Sequence, residues 1–145
     1  ASSEWFSADG PTMYRKHNAR NHARALYVRE HTASDTVIGV HWAGVPVYFS
    51  ERPAVDLLGK SDRHIAKLRV RRFHPGHSKW DWDYVVNVRK PDAILIATRG
   101  LARRADFQRH YAEVVRDGKV RFFMRRESLP KLHDPRATIR EVDSL

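Results

Sequence analysis

The chain contains no cysteine. That absence excludes a disulfide framework, a thiolate zinc site and a thiol nucleophile, and it leaves the redox compartment open, because a cysteine-free chain tolerates either side of a membrane. Long apolar runs are missing as well. The longest, Ala93 to Ala97, falls far short of the roughly 20 apolar residues of a membrane-spanning helix. Seven Gly and seven Pro in 145 residues do not indicate disorder or a fibrous repeat. No basic region followed by an apolar core and a cleavage site opens the chain, so no secretory signal is visible. The first residue is Ala rather than an initiator Met, which suits a processed or excised segment and equally the removal of a Met ahead of Ala.

What is present fits one compact domain with a real core, at 41% hydrophobic, 10% aromatic and 30% charged residues. The net charge is +10 with nine His counted as neutral. Phosphate-rich, lipid-headgroup and acidic-glycan partners all suit that charge.

Three regions follow from the patterning: an irregular lead-in over 1–15, an α/β domain over 16–127 and a polar, Pro-punctuated tail over 128–145. Ala19, Ala23, Leu26 and Tyr27 predict a helix from Lys16 to Glu30, with Arg20, Arg24 and Arg29 turned to solvent. The β-branched run Thr36 to Trp42 reads as a buried strand. Val45 to Ser50 is a loop, a short helix or an edge strand because of Pro46. Ala54 to Leu58 is a second apolar run closed by Gly59, and Asp62 is placed to cap a helix from Arg63 to Leu68. Arg69 to Asp83 reads as a long loop, and Tyr84 to Val88 as a short helix or strand. Ala93 to Ala97 is the clearest buried strand. Phe107, Tyr111, Val114 and Val115 predict a helix over Arg103 to Arg116, stopped by Gly118 as a C-terminal cap, before a strand from Val120 to Arg125. This alternation predicts an α/β fold with a central, mostly parallel sheet flanked by helices, a Rossmann-like three-layer arrangement.

Several residues carry candidate chemistry. His41, Asp56, Asp62, His64, His74 and His77 are imidazole and carboxylate groups of the kinds that ligate metals, and Asp56, Asp62, His64 and His77 define a small metal-assisted hydrolase as one reading. No His-Glu-x-x-His pair supports it. Asp56 falls near the carboxyl end of a predicted strand, where open α/β sheets place their binding crevices, and a salt bridge or a backbone cap accounts for it equally well. Ser50 lacks the Gly-x-Ser-x-Gly elbow of a serine hydrolase, and no Gly-x-Gly-x-x-Gly or phosphate-loop Lys motif occurs. Arg69 to Trp82 mixes cations with Phe73, Trp80 and Trp82, which suits stacking on nucleobases or sugars; it is also what a solvated basic loop anchored by two Trp looks like. A basic α/β protein that binds nucleic acid through this loop is the other rival reading.

One combination is more specific. His41-Trp-Ala-Gly44, Val47-Tyr-Phe-Ser50, Asp56-Leu-Leu-Gly59, Asp62, Ile65-Ala66 and Pro75-Gly-His77 followed by Lys79 together resemble the soluble C-terminal extracytoplasmic domain of bacterial polytopic membrane glycosyltransferases of the GT-C type. That class includes arabinofuranosyltransferases and protein mannosyltransferase-like enzymes. The likeness covers Tyr14 to about Ala97, and His41 and Trp42 stand where the pattern carries small or apolar residues. It implies a domain on the periplasmic face of the bacterial cell membrane, attached to an upstream transmembrane domain of the same polypeptide and facing an anionic membrane surface. It further implies that the catalytic carboxylate and the lipid-phosphate sugar donor belong to a membrane-embedded part absent from this chain. The domain by itself is then inert, with no catalytic residue, metal or cofactor of its own. Its implied role is to bind or orient a glycan or polyprenyl-phosphate-sugar acceptor through Tyr48, Asp56, Asp62, His77, Lys79 and Trp80. Nucleic acid is the less favoured partner on this reading.

Overall fold

The structure is a computed structural model that describes residues 13–59, 61–70 and 78–143, the side chains of Met13 and Tyr14 excepted. The lead-in expected over 1–15 and the segment holding His74 and His77 therefore lie mostly or wholly outside the described residues.

A stretch free of Gly and Pro forms the long helix α1 (Met13–His31), with Arg29 and His31 in its last turn, where cations suit the carbonyl end of the helix. Its buried stripe is Asn21, Ala25 and Val28 rather than the expected Ala19, Ala23, Leu26 and Tyr27. The helix is rotated because Val28 docks among the buried apolar side chains of the sheet. Arg24 consequently turns out half-buried instead of solvated.

The strands are β1 (Ile38–Val40), β2 (Ala54–Asp56), β3 (Ala93–Ile94), β4 (Tyr111–Arg116), β5 (Lys119–Arg125) and β6 (Thr138–Arg140). They form one six-stranded sheet in the order β2-β1-β3-β5-β4-β6. Only β1 with β2 and β1 with β3 run parallel, while β3 with β5, β5 with β4 and β4 with β6 are antiparallel. The fold is mixed α/β, and the expected mostly parallel sheet is corrected to a mostly antiparallel one.

The cause lies at Asp117-Gly118. Both residues have positive φ, 52° and 68°, the backbone of a type I′ turn whose twist matches a two-stranded hairpin. Tyr111 to Arg116 is therefore not the second half of a helix; the helix α5 (Ala105–His110) stops at His110 and β4 begins. All six residues of β4 are buried. A strand covered on both faces loses its period-two signal, so its apolar residues also satisfied helical spacing.

The remaining helices are short: α2 (Val45–Ser50), α3 (Arg63–Ala66) and α4 (Arg99–Ala102), with a π-helical turn over Tyr84–Arg89 and a 3-10 helix over Arg126–Lys131. The π-helical turn closes where the Lys90 N–H donates to Val85 O at 2.9 Å. Beyond 127 the polar stretch supplies the 3-10 helix and the edge strand β6.

Side chains alternate across the sheet. Ile38, Val40, Leu95 and Phe122 pack on one face with Val28 of α1, and Val55, Ile94 and Tyr111 pack on the other with Ile65, Val85 and Phe107. Helices thus cover both faces. No helix among the described residues is long and apolar enough to cross a membrane.

Asp92 joins the parallel and antiparallel parts. Its carboxylate accepts the Val37 N–H ahead of β1 at 2.8 Å, the Ser128 hydroxyl at 2.5 Å and the Lys131 ammonium at 2.9 Å. Its own carbonyl accepts the Arg125 N–H at 2.7 Å. Burial disfavours the Asp92 carboxylate, but the hydrogen bonds from Ser128, Val37 and Lys131 outweigh it and hold its pKa below the ordinary 3.8. The stability this group contributes is therefore complete above the ordinary value and is lost as pH falls through the lowered one. Asp92→Ala is expected to cost on the order of 3 kcal/mol in urea unfolding at neutral pH. The same substitution is expected to flatten the acid limb of the stability profile. Gly118→Ala, at positive φ with open space around the added Cβ, is expected to cost only about 1 kcal/mol.

Candidate functional site

The chain leaves β1 for β2 on one side and returns to β3 on the other, so the three parallel strands end in a crevice at their carboxyl ends. His41 and Trp42 follow β1 there, Leu57 follows β2, and Leu95 to Ala97 follow β3.

The Asp56-Leu-Leu-Gly59 turn is held by its own first residue. One oxygen of the buried Asp56 accepts the Leu58 N–H at 3.0 Å and the other accepts the Ser61 N–H at 2.8 Å. Gly59 has φ of +73°, and a Cβ there would stand 2.5 Å from Ile65 Cγ2, so no other residue fits. Asp62 then caps α3 as expected, its Oδ1 accepting the His64 and Ile65 N–H groups at 2.9 and 3.2 Å. Its second oxygen faces the Tyr84 hydroxyl at 3.4 Å and the Arg89 guanidinium at 3.7 Å.

The returning segment is pinned to α3 in three places. Lys79 Nζ donates to the Ala66 carbonyl, His64 Nε2 meets Asp81 at 2.9 Å, and the His64 ring stacks on Tyr84 with centroids 4.1 Å apart. These ties set up a row of aromatic rings. Trp80 stacks on Trp82 at 6.2 Å, Trp82 lies 5.9 Å from His41, and His41 lies 6.0 Å from Trp42. The three indoles are partly exposed and His41 between them is buried. Trp42 also meets His17 of α1 edge-on at 6.3 Å.

The expected site residues therefore divide. Asp56, Asp62 and Lys79 are drawn together around α3, but chiefly as ties on backbone groups. Trp80 stands in the aromatic row. Tyr48 is 78% exposed on α2, whose Val47 packs on the α1 face of the sheet, whereas Ile65 and Trp82 pack on the opposite face; Tyr48 does not join the group. His77 lies outside the described residues. No three His, Asp or Glu side chains among the described residues are grouped as metal ligands. Trp82 stands among the aromatics expected to stack on bases or sugars and His41 among the candidate metal ligands, whereas Trp42 has no expected binding role, although a strand ending in His-Trp is a readable signal.

Fold and site together define a mixed α/β domain with a row of aromatic rings at the ends of three parallel strands. Residues 11–138 match the family described as a domain of unknown function (DUF8728), and the chain belongs to that family. The search of curated proteins and that of solved structures gave no match.

If Asp56 acts as a tie, Asp56→Asn must press an amide N–H₂ against a backbone N–H, at a cost of about 1–3 kcal/mol. Gly59→Ala is expected to cost on the order of 3 kcal/mol or more. Thermal unfolding of both variants checks the assignment, and an unchanged midpoint for Asp56→Asn would contradict it.

Proposed function

We propose that this domain is the extracytoplasmic part of a membrane glycosyltransferase-like protein of the GT-C type, where it binds or orients a glycan or polyprenyl-phosphate-linked acceptor. The observation that carries the reading is the row Trp80, Trp82, His41 and Trp42 at the strand ends. Sugar rings present flat C–H faces that stack on indoles, and a crevice with a few polar groups beside such faces orients them. The residues of the sequence likeness give further support. Asp56, Gly59, Asp62 and Lys79 are the ties that shape this end of the molecule, so their occurrence as a set has a physical reason. The β2-β1-β3 unit is the Rossmann-like part of the fold on this reading.

Catalysis and donor binding then belong to the membrane-embedded part of the same polypeptide, on the periplasmic side of a bacterial membrane. The basic surface suits the anionic headgroups it would face.

Two measurements test the proposal. The gene should encode several membrane spans ahead of residue 1, and a reading frame without them overturns the membrane assignment. Tryptophan fluorescence of the full chain should respond to arabinose- or mannose-containing oligosaccharides, with affinity lowered about tenfold in Trp82→Ala. Single-strand oligonucleotide binding that falls steeply with salt, in place of glycan binding, would establish the nucleic-acid reading instead.

A further inference from the structure

On the α1 side of the same strand ends lies a cleft of about 390 Å³, within the size range of ligand pockets. Arg24, Ile96, Arg99, Arg121 and Glu113 contribute to its walls. A smaller cleft of about 220 Å³ shares Arg24 and Ile96 with it and adds Arg20, His17 and Trp42. Arg24 therefore stands where the two meet.

Other arginines are neutralised within the fold. Arg29 pairs with Glu51, Arg104 with Asp106, Arg116 with Asp134 and Arg126 with Glu141. Arg24 is half-buried and has no carboxylate or hydrogen-bond acceptor among the described residues. Burial, and then the like charge of Arg20, lower its pKa from the ordinary value. A guanidinium held in that position without a counter-ion is costly unless an anion arrives from outside.

Arg121 reaches the same cleft by a specific device. Val114 pairs with Phe122 and Val115 with Val120, which leaves Arg121 as the extra residue of a β-bulge. Bulges re-aim a side chain out of the ladder's alternation. Arg121 lies over the Tyr27 ring at 5.4 Å and reaches Asp117 at 3.5 Å, yet its Nε is buried without a hydrogen-bond partner. Of the acidic groups at the cleft, Glu113 is engaged by Arg140 at 2.6 Å, and the exposed Asp143 forms no ion pair with these arginines among the described residues.

We propose that this cleft is a phosphoryl-group site, with the Arg24 guanidinium as its central ligand and Arg20, Arg99 and Arg121 around it. Planar guanidinium forks match the oxygens of a phosphate ester or diphosphate two at a time. Trp42 and His17, at the smaller end, are placed to meet what the phosphate is attached to. The site does not depend on the aromatic row taking a sugar, and its test is separate.

The full chain is titrated with inorganic pyrophosphate by calorimetry, and in parallel by co-sedimentation with phosphatidylcholine vesicles with and without phosphatidic acid. Binding in either arm that weakens about tenfold in Arg24→Gln supports the site. The pyrophosphate arm marks a soluble phosphate as ligand, and the vesicle arm alone marks a lipid headgroup. Arg24→Lys should keep part of the affinity, since the charge stays and the fork is lost. Arg29→Gln removes an equal charge from α1 away from the cleft and should bind as the unsubstituted chain does. Arg24→Gln should unfold at the same temperature as the parent or higher, because it removes an uncompensated charge, so lost binding will not reflect lost folding. Absence of binding in both arms overturns the proposal, as does equal weakening by Arg24→Gln and Arg29→Gln, which would mean general surface attraction only.

Discussion

The Asp92 carboxylate is the constraint on which the rest of this sheet depends. Its three donors come from the entry to β1, from the 3-10 helix and from the lysine that ends that helix. β3 contributes only two residues of ladder, one edge parallel to β1 and the other antiparallel to β5. So short a strand cannot fix two neighbours of opposite sense by backbone pairing alone. The carboxylate at its entry sets where β1 begins and where β5 ends, and the crevice at the far end of β1, β2 and β3 inherits its shape from that alignment.

At that far end two kinds of polar group are divided by what they touch. The carboxylates of Asp56 and Asp62 are directed at backbone amides and keep the loops tight. The indoles of Trp42, Trp80 and Trp82 and the guanidinium of Arg24 are left with surface to offer. On the proposed binding reading, rigid acidic ties under an exposed aromatic and cationic surface would leave little to rearrange when a ligand arrives.

Local chemistry was legible in the sequence wherever one residue acts on its near neighbours. The Asp62 cap and the turn closed at Gly59 both depend on contacts within a few positions, whereas the sequence leaves Val45 to Ser50 open between loop, helix and strand, and it is the helix α2. The β4–β5 hairpin was hidden because Tyr111 to Arg116 is covered on both faces, and Asp117-Gly118 then resembled the end of a helix. The Asp-Gly pair followed by Val120 to Arg125 was the available signal for a hairpin. Arg24 was unreadable for a different reason: a helix's sequence shows which residues share a face, but how deeply that face sinks is decided by Val28 meeting the sheet. The same holds for Arg121, whose direction is set by a bulge that exists only once β4 and β5 have paired.

The bond between the Tyr27 hydroxyl and the Asp134 carboxylate, 2.5 Å long, spans 107 residues of chain. It fastens the first described helix to a segment close to the last described strand, and Asp134 also holds Arg116 of β4. The β4–β5 hairpin needs only a two-residue turn and can form within microseconds, whereas the parallel pairing of β1 with β3 must close a far longer loop. During synthesis the order is reversed. The strands of the crevice emerge first, and the hairpin, the 3-10 helix and Asp134 that complete their surroundings emerge last. A nascent chain shorter than about this point carries the aromatic row and Arg24 with the antiparallel half of their support missing, so that end of the molecule is assembled only when nearly all of the described strands have left the ribosome.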